Sequence, residues 1–222
     1  MNIIDELEWR GAINQQTDAE GLYKLVDQKS ISLYCGIDPT GDSMHIGHLI
    51  PFMILKRFQL AGHHPVILIG GGTGAIGDPS GRTTERVLQT AEQVKHNADS
   101  LTAQMKKLFG EDGSFTMMNN YDWLSKISLL DFLRDYGKLF NINTMLAKDV
   151  VASRMETGIS FTEFSYQILQ SIDYKMLYEK CGVQLQIGGA DQWGNITNGI
   201  ELIRKTNETH EAFGLTIPLM LK

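Results

Sequence analysis

Residues 30–70 read SISLYCGIDPTGDSMHIGHLIPFMILKRFQLAGHHPVILIG, and this stretch decides the fold. Its two ends, SISLYCGI and PVILIG, are short and largely apolar, which predicts two buried strands. The segment between the histidines and Gly62 predicts a helix that ends at Ala61, because glycine commonly follows the last helical residue. A strand, a helix and a strand in this order predict a parallel pair with a helical crossover.

The alternation of strands and helices continues along the chain. FTMMNN and VQLQIGG predict two further strands, and LTIPLML predicts a last extended segment. Capping patterns predict helix starts at Thr17, Thr90 and Ser160. SLLDFLRDYGKLF, NTMLAKDVVASRMET and NITNGIELIRK predict three more helices. The predicted fold class is therefore α/β, a doubly wound parallel sheet with helices on both faces.

The composition is that of an ordinary globular protein, with 42% hydrophobic and 21% charged residues among 222. The formal charge of −6 argues against binding to nucleic acid through a global positive field, but it leaves a local basic patch open. Cys35 and Cys181 are far apart in sequence, which gives no disulfide framework and fits a reducing compartment. The acidic N-terminus lacks the apolar core of a signal peptide, and no apolar run approaches the roughly 18 residues of a membrane span. We therefore expect a soluble, cytoplasmic protein.

Three polar, glycine-rich loops follow the predicted strands, over residues 38–48, 70–86 and 188–195. In parallel sheets covered on both faces, ligands bind at the carboxyl ends of the strands. We therefore expect these loops to converge on one site.

The first loop leads into a helix and carries His45, Gly47 and His48. A glycine-rich turn before a helix N-terminus binds anions, because free backbone N–H groups and the helix dipole point at the ligand. Two imidazoles could add hydrogen bonds to phosphate, and Gly47 would let a flat ring approach the backbone. Two incidental surface histidines at a helix start explain the spacing as well. A metal site is disfavoured, because no third ligand lies at a usual spacing.

The second loop contains Gly72, Gly74 and Gly77 in a formal G-x-G-x-x-G pattern. The dinucleotide fingerprint needs its third glycine inside a helix, whereas here the turn sequence DPSG follows at once. A dinucleotide-dependent oxidoreductase is therefore disfavoured. Arg82 and Arg86 follow this turn, where they could meet phosphate charge or be ordinary solvated arginines.

The helix after Ser160 places Tyr166, Gln170 and Asp173 on one face, since they are four and three residues apart. This face could line a polar pocket, or it could be the solvated side of an amphipathic helix. The stretch GGADQWGN, residues 188–195, is also open to two interpretations. Its glycines and Asp191 suit a ribose or amide contact at a strand end, but a turn with an aspartate helix cap explains them too.

Taken together, several stretches resemble the bacterial tyrosyl-tRNA synthetases, which are class I aminoacyl-tRNA synthetases. HIGH, residues 45–48, is the first signature of that class. The resemblance keeps the family's order and spacing and covers essentially the whole chain. It is carried by YCGIDPTGDSMHIGHL, GGGTGAIGDPSGR, NNYDW, GISFTEFSYQILQSIDY, GGADQWGNITNGIELIR and AFGLTIPL.

The resemblance implies a Rossmann-type sheet with a helical insertion, and activation of L-tyrosine by ATP followed by transfer to tRNA(Tyr). The implied tyrosine site comprises Tyr34, Asp78, Asn120, Tyr166, Gln170, Asp173 and Gln192. The implied ATP site comprises Cys35, Gly36, Asp38, Thr40, His45, Gly47, His48, Gly189 and Asp191. The implied catalytic groups are Thr40, His45, His48, Arg82 and Arg86. Mg²⁺ would arrive on the phosphates of ATP, without a metal site in the protein.

The resemblance also predicts how the chain is organised. Residues 1–222 would be a catalytic domain, with a helical insertion and a homodimer region over about 121–165. The second signature, Lys-Phe-Gly-Lys-Ser, would lie beyond Lys222, and the C-terminal tRNA-binding domain would be absent. Such a chain is expected to bind tyrosine but to be impaired in catalysis, because the lysine loop would act on the migrating phosphates.

Three other functions share part of this pattern. Tryptophanyl-tRNA synthetase has the same architecture, but Tyr34 and Asp173 argue against it because an indole N–H cannot use both a donor and an acceptor. A His-x-Gly-His nucleotidylyltransferase would not need the face formed by Tyr166, Gln170 and Asp173. A non-catalytic relative that binds RNA or a regulatory ligand is disfavoured by the charge of −6.

Overall fold

A computed structural model describes residues 2–80, 88–152, 154–155 and 158–219, and the side chains of all of these except 149 and 150. The described residues form one six-stranded sheet. Its strands are β1 (Gln15–Gln16), β2 (Ser32–Ile37), β3 (His64–Ile69), β4 (Thr116–Asn119), β5 (Val183–Gly189) and β6 (Phe213–Ile217).

The strands lie in the order β1-β6-β5-β2-β3-β4. Strands β2 to β6 are parallel, and the short β1 pairs antiparallel with β6 at one edge. From β2 the chain builds β3 and β4 on one side and then returns to build β5 and β6 on the other. The order therefore reverses between β2 and β5, the position at which doubly wound sheets bind ligands. The predicted fold class is confirmed, with an antiparallel edge strand too short to leave a pattern in the sequence.

The helices of the described residues are α1 (Ile3–Trp9), α2 (Ala19–Gln28), α3 (Ile46–Leu60), α4 (Ala91–Phe109), α5 (Tyr121–Leu124), α6 (Leu129–Asp131), α7 (Ile142–Leu146), α8 (Asp149–Ala152), α9 (Phe161–Cys181) and α10 (Trp193–Thr206). Thr90 and Ser160 cap α4 and α9, as predicted. The cap of α2 is Asp18 rather than the predicted Thr17, whose hydroxyl accepts a hydrogen bond from the backbone of Gly214 on β6 instead. Within the described ranges, no helix combines the length and the apolar character needed to cross a bilayer.

Both faces of the sheet carry an apolar core. On one face, α1 to α4 pack over strand residues such as Leu33 and Ile67. On the other face, α9 and α10 pack over Tyr34 and Leu68, which are the next residues along the same strands. Successive strand residues point to opposite faces, so a strand buried on both sides serves both cores. Helices on both faces of the sheet are therefore confirmed.

The region over 121–165 differs from the sequence prediction. The first predicted helix is present as one continuous helical segment, made of α6, a π-helical turn over Phe132–Tyr136 and a 3₁₀ turn over Gly137–Leu139. The described part of the second predicted helix contains the two short helices α7 and α8 instead. Leu129, Leu130 and Leu133 lie at the surface of the chain. Phe132, Tyr136 and Leu139 of the same segment pack against the core that contains Tyr34 and Leu68.

Candidate functional site

A cavity of about 360 Å³ opens where the strand order reverses, and residues of all three predicted loops line it. The predicted site residues that the structure describes all lie in its wall: Tyr34, Cys35, Gly36, Asp38, Thr40, His45, Gly47, His48, Asp78, Asn120, Tyr166, Gln170, Asp173, Gly189, Asp191 and Gln192. Arg82 and Arg86 lie outside the described residues. The convergence expected from the topology is therefore present.

Asp173 of α9 is buried in the cavity wall, with 2% of its surface exposed. Its Oδ2 accepts a hydrogen bond from Nδ2 of Asn120 at 2.9 Å, and its Oδ1 accepts one from Nε1 of Trp123 at 2.8 Å. Burial raises the pKa of Asp173 to about 8, while the two N–H donors favour the ionised form. Each carboxylate oxygen has two lone pairs, so Asp173 keeps acceptor capacity for a ligand.

Tyr34 of β2 lies in the same buried part of the cavity, and its ring centroid is 5.2 Å from that of Tyr174. Its hydroxyl has no hydrogen-bond partner among the described residues. Burial, together with the Asp173 carboxylate, raises the pKa of Tyr34 well above its usual value, so the hydroxyl stays neutral. A buried hydroxyl without a partner costs about 1–3 kcal/mol, so a ligand that supplies the partner is favoured.

Carboxylates are concentrated in this cavity, where Asp38, Asp78 and Asp191 accompany the buried aspartate. The hydroxyl of Tyr166 donates to Oδ2 of Asp38 at 2.9 Å, and Nε2 of Gln192 donates to Oδ2 of Asp78 at 2.7 Å. Burial raises the pKa of Asp191, and the nearby charge of Asp78 adds to the rise. Opposite charge relieves this kind of crowding, so the arrangement suits a cationic group such as an ammonium.

Gln170 and Gln192 connect α9 to the segment after β5. Nε2 of Gln170 donates to Oε1 of Gln192 at 3.2 Å, and Nδ2 of Asn195 donates to the same oxygen at 3.2 Å. Oε1 of Gln170 is buried and has no partner within the described part of the chain. The amide of Gln170 therefore offers an acceptor to a ligand in the cavity.

His45 and His48 lie at the N-terminus of α3, with His45 as the cap and His48 inside the first turn. Their rings stack with centroids 3.6 Å apart and planes inclined by 25°. Nδ1 of His45 accepts the backbone N–H of Gly47 at 3.1 Å, so the neutral ring carries its proton on Nε2. The flat ring that approaches Gly47 is thus His45 itself. A Cβ on Gly47 would lie 3.0 Å from that imidazole.

Backbone and small side chains form the rest of the wall. Cys35 is buried, which raises the pKa of its thiol to about 12 and keeps it protonated. Gly36 is exposed next to it and presents only backbone. The amide of Thr40 donates to the carbonyl oxygen of Asp38 at 2.8 Å, which holds the loop after β2. A Cβ on Gly189 would approach the Asp191 carboxylate to 2.5 Å, so this side of the cavity excludes a side chain there.

A family model described as tRNA synthetases class I (W and Y) matches residues 26–222. The chain belongs to this family. It is 77% identical over 224 residues to tyrosine–tRNA ligase 1 of Enterococcus faecalis, and 75% identical over 222 residues to tyrosine–tRNA ligase of Latilactobacillus sakei. Each alignment covers 100% of this chain and 53% of the relative. This class I synthetase chain therefore spans about half the length of the curated relatives it matches.

Solved structures agree with this assignment. A C-terminally truncated mitochondrial tyrosyl-tRNA synthetase of Aspergillus nidulans is similar with a TM-score of 0.88 and 33% identity, covering 100% of this chain and 70% of that chain. Tryptophanyl-tRNA synthetase of Plasmodium falciparum has a TM-score of 0.73 at 16% identity, covering 97% and 56% of the two chains. This second likeness shows the fold alone. The family resemblance seen in the sequence is confirmed.

Several residues of this synthetase site are missing from the sequence prediction, and three of them make or offer polar contacts. Thr73 and Gln186 line the cavity, and Trp123 holds Asp173. Gln186 carries a signal that the prediction did not use, because it is a polar residue between the apolar Leu185 and Ile187 of β5. Thr73 and Trp123 carry no such signal, since their positions depend on how the loops after β3 and β4 fold over the sheet.

Proposed function

We propose that this chain is the tyrosine-activating part of a tyrosine–tRNA ligase. The reaction joins L-tyrosine and ATP to form tyrosyl-adenylate and pyrophosphate, and the tyrosyl group then passes to tRNA(Tyr). The observation that carries the proposal is the pairing of a buried hydroxyl, Tyr34, with a buried carboxylate, Asp173, in one cavity. The high identity to bacterial tyrosine–tRNA ligases supports it, and a cytoplasmic location is part of the proposal.

The pair Tyr34 and Asp173 favours a phenol over an indole. A phenol hydroxyl can donate to the carboxylate and accept from the tyrosine hydroxyl at the same time, whereas an indole N–H only donates. Among the described residues of the free chain, the buried Tyr34 hydroxyl has no hydrogen-bond partner. A bound indole would leave it in that state. The same reasoning applies to phenylalanine, which satisfies neither group.

The ammonium group of the amino acid would be held by the carboxylates and amides further along the cavity. Asp78, Tyr166, Gln170 and Gln192 are the residues proposed for this role. Their support is the concentration of negative charge around Asp78 and the free acceptor on Gln170. An ammonium placed there would offset the mutual repulsion of the aspartates.

The ATP site would be formed by the loop after β2, the N-terminus of α3 and the loop after β5. The backbone N–H groups at the start of α3 suit a phosphate, and Nε2 of His45 would add one donor. Thr40 and His48 are proposed to act with it, and Arg82 and Arg86 to meet the leaving pyrophosphate. Cys35, Gly36, Asp38, Gly189 and Asp191 would contact the nucleoside, and Mg²⁺ would enter with the ATP phosphates.

Catalysis in this proposal needs no nucleophile from the protein. The carboxylate of tyrosine attacks the α-phosphorus of ATP, a C–O–P linkage forms, and the bond to pyrophosphate breaks. The protein would act by holding the two substrates in line and by stabilising charge as the phosphates move.

The surface of the 121–165 region suits a second copy of the chain. Leu130 and Phe161 are 76% and 71% exposed, and Leu129, Leu133 and Ile142 are exposed near them in sequence. Clustered exposed apolar residues mark interaction surfaces. A homodimer built on this region is the partner we propose, in addition to tRNA(Tyr).

The proposed activity is tested by ATP–pyrophosphate exchange with tyrosine or tryptophan as the amino acid. We expect slow exchange, in line with the impaired catalysis predicted from the sequence, that depends on tyrosine and is absent with tryptophan. Exchange supported by tryptophan and not by tyrosine would contradict the proposal.

A further inference from the structure

Three hydrogen bonds connect two carboxylates that belong to different parts of the cavity. Oγ1 of Thr73 donates to Oδ1 of Asp38 at 2.7 Å. Nδ2 of Asn120 donates to Oγ1 of Thr73 at 2.8 Å and to Oδ2 of Asp173 at 2.9 Å. We call these four residues the Asp38–Asp173 relay. It runs from the end of β2, past the ends of β3 and β4, to the middle of α9.

The direction of every bond in the relay is fixed. Oδ1 of Asn120 accepts the backbone N–H of Gly72 at 2.7 Å, which turns the Nδ2 hydrogens toward Thr73 and Asp173. Because Asn120 supplies a donor to the Thr73 hydroxyl, that hydroxyl gives its single proton to Asp38. Asn120 is 0% exposed and Thr73 is 2% exposed, so water does not compete for these groups.

The loop after β3 leaves room for the relay. A Cβ on Gly70 would overlap both the Asp38 carboxylate and the Thr73 hydroxyl. A Cβ on Gly72 would lie 3.3 Å from Oδ1 of Asn120. The two glycines thus let the backbone close over a carboxylate, a hydroxyl and an amide that are already in contact.

We propose that Thr73 is a positioning residue that couples the tyrosine site to the ATP site through the Asp38–Asp173 relay. The inference rests on the proposed function, in which Asp173 meets the phenol and Asp38 approaches the nucleotide. Hydrogen bonds in a buried chain polarise one another, so a donor added at one carboxylate alters the bond at the other. Tyrosine and ATP therefore change each other's affinity, by the same factor in both directions.

The test measures this coupling factor in the folded chain. Tyrosinol, which lacks the reacting carboxylate, is titrated by calorimetry with and without saturating ATP, and ATP is titrated with and without tyrosinol. The variant Thr73→Val removes the hydroxyl at nearly constant shape, and Thr73→Ser keeps it. We expect a coupling factor that differs from 1 by at least about fivefold in the wild-type chain and in Thr73→Ser, and a factor near 1 in Thr73→Val. A factor of 1 in the wild-type chain would overturn the inference.

A coupling factor in Thr73→Val equal to that of the wild type would overturn the inference. An equal loss of coupling in Thr73→Ser would also overturn it, because the methyl group of Thr73 and not its hydroxyl would then be responsible. If Thr73→Val does not fold, Thr73→Ala removes the same hydroxyl and gives the same comparison. If neither variant folds while Thr73→Ser does, the hydroxyl serves stability and the inference is overturned. Failure of the wild-type chain to bind tyrosinol would instead contradict the proposed function.

Discussion

Trp123 and Asp173 are joined by a hydrogen bond of 2.8 Å from Nε1 to Oδ1, and both side chains are buried. The indole therefore holds the carboxylate that we propose as the phenol acceptor, although the two residues are 50 positions apart in sequence. The bond links α5, which follows β4, to α9 and fixes one of the two carboxylate oxygens.

The variant Trp123→Phe keeps a ring at this position and removes the donor to Asp173. At about pH 9, above the pKa of Asp173, the acceptor is ionised. A hydrogen bond to a charged group is worth about 1.5–3 kcal/mol, so we expect tyrosine affinity at that pH to fall by roughly 10- to 100-fold. The measurement is calorimetric titration with L-tyrosine. Trp9→Phe, at an indole that is 79% exposed, is the control and should bind as the wild type does. Equal affinity in both variants would contradict the role given to Trp123.

The pH dependence of stability reports on Asp173, whose pKa burial raises to about 8. The unfolded carboxyl titrates near 3.9. Between these values the folded chain holds a proton that the unfolded chain has lost, so this group makes the free energy of unfolding fall as pH rises. The loss is at most about 1.4 kcal/mol per pH unit. We expect Asp173→Asn to gain stability relative to the wild type from pH 5 to pH 8 in urea unfolding. A difference that does not change with pH would contradict this.

Gly47, in the first turn of α3, and Gly41, in the loop between β2 and α3, form a matched pair. A Cβ on Gly47 would lie 3.0 Å from the His45 ring, whereas a Cβ on Gly41 would meet nothing within 4 Å. Alanine favours the helix by up to about 1 kcal/mol, so Gly47→Ala should not lower thermal stability strongly. The methyl group would displace the His45 ring from its cap and its stack, and ATP affinity should fall. Gly41→Ala is expected to retain the ATP affinity of the wild type. Loss of ATP affinity in both variants would contradict the placement of His45 in the ATP site.

Arg154 and Glu163 form a buried ion pair at 3.0 Å, with side chains 6% and 1% exposed. The variant Arg154→Met leaves the Glu163 carboxylate buried without its cation, and we expect a loss of about 3–5 kcal/mol in the free energy of unfolding. The exposed pair of Arg204 and Glu201, at 2.6 Å, is the control. Arg204→Met should cost less than about 1 kcal/mol in the same denaturant titration. Similar losses for the two variants would show that burial of the first pair does not matter.

Local signals explain which elements are predictable from this sequence. Thr90 and Ser160 cap their helices as predicted, because a cap is decided within four residues. The start of α2 moves to Asp18 because Thr17 bonds to Gly214, 197 positions away. In the insertion, Leu129 and Leu130 are exposed whereas Phe132 packs against the core, and an apolar pattern alone does not reveal this division.

The site is predictable as a set of residues but not as a set of contacts. Parallel topology brings the loop ends together, so the cavity lining follows from the strand pattern and the family resemblance. The hydrogen-bond partners do not follow from these patterns. The Tyr166 hydroxyl donates to Asp38, which is 128 positions away, and it is Gln192 that donates to Asp78. Thr73 connects its neighbours only once three loops have folded over the strand ends.

The most direct test of the tyrosine assignment compares L-tyrosine and L-phenylalanine binding to the wild-type chain and to Tyr34→Phe by calorimetry. A site that pairs with a substrate hydroxyl discriminates against the analogue lacking it by a factor of about 10⁴–10⁵ in kcat/KM, and tyrosyl-tRNA synthetases are the known example of this range. The account predicts strong preference for tyrosine in the wild-type chain and a smaller preference in Tyr34→Phe. Equal binding of tyrosine and phenylalanine by the wild-type chain would contradict it.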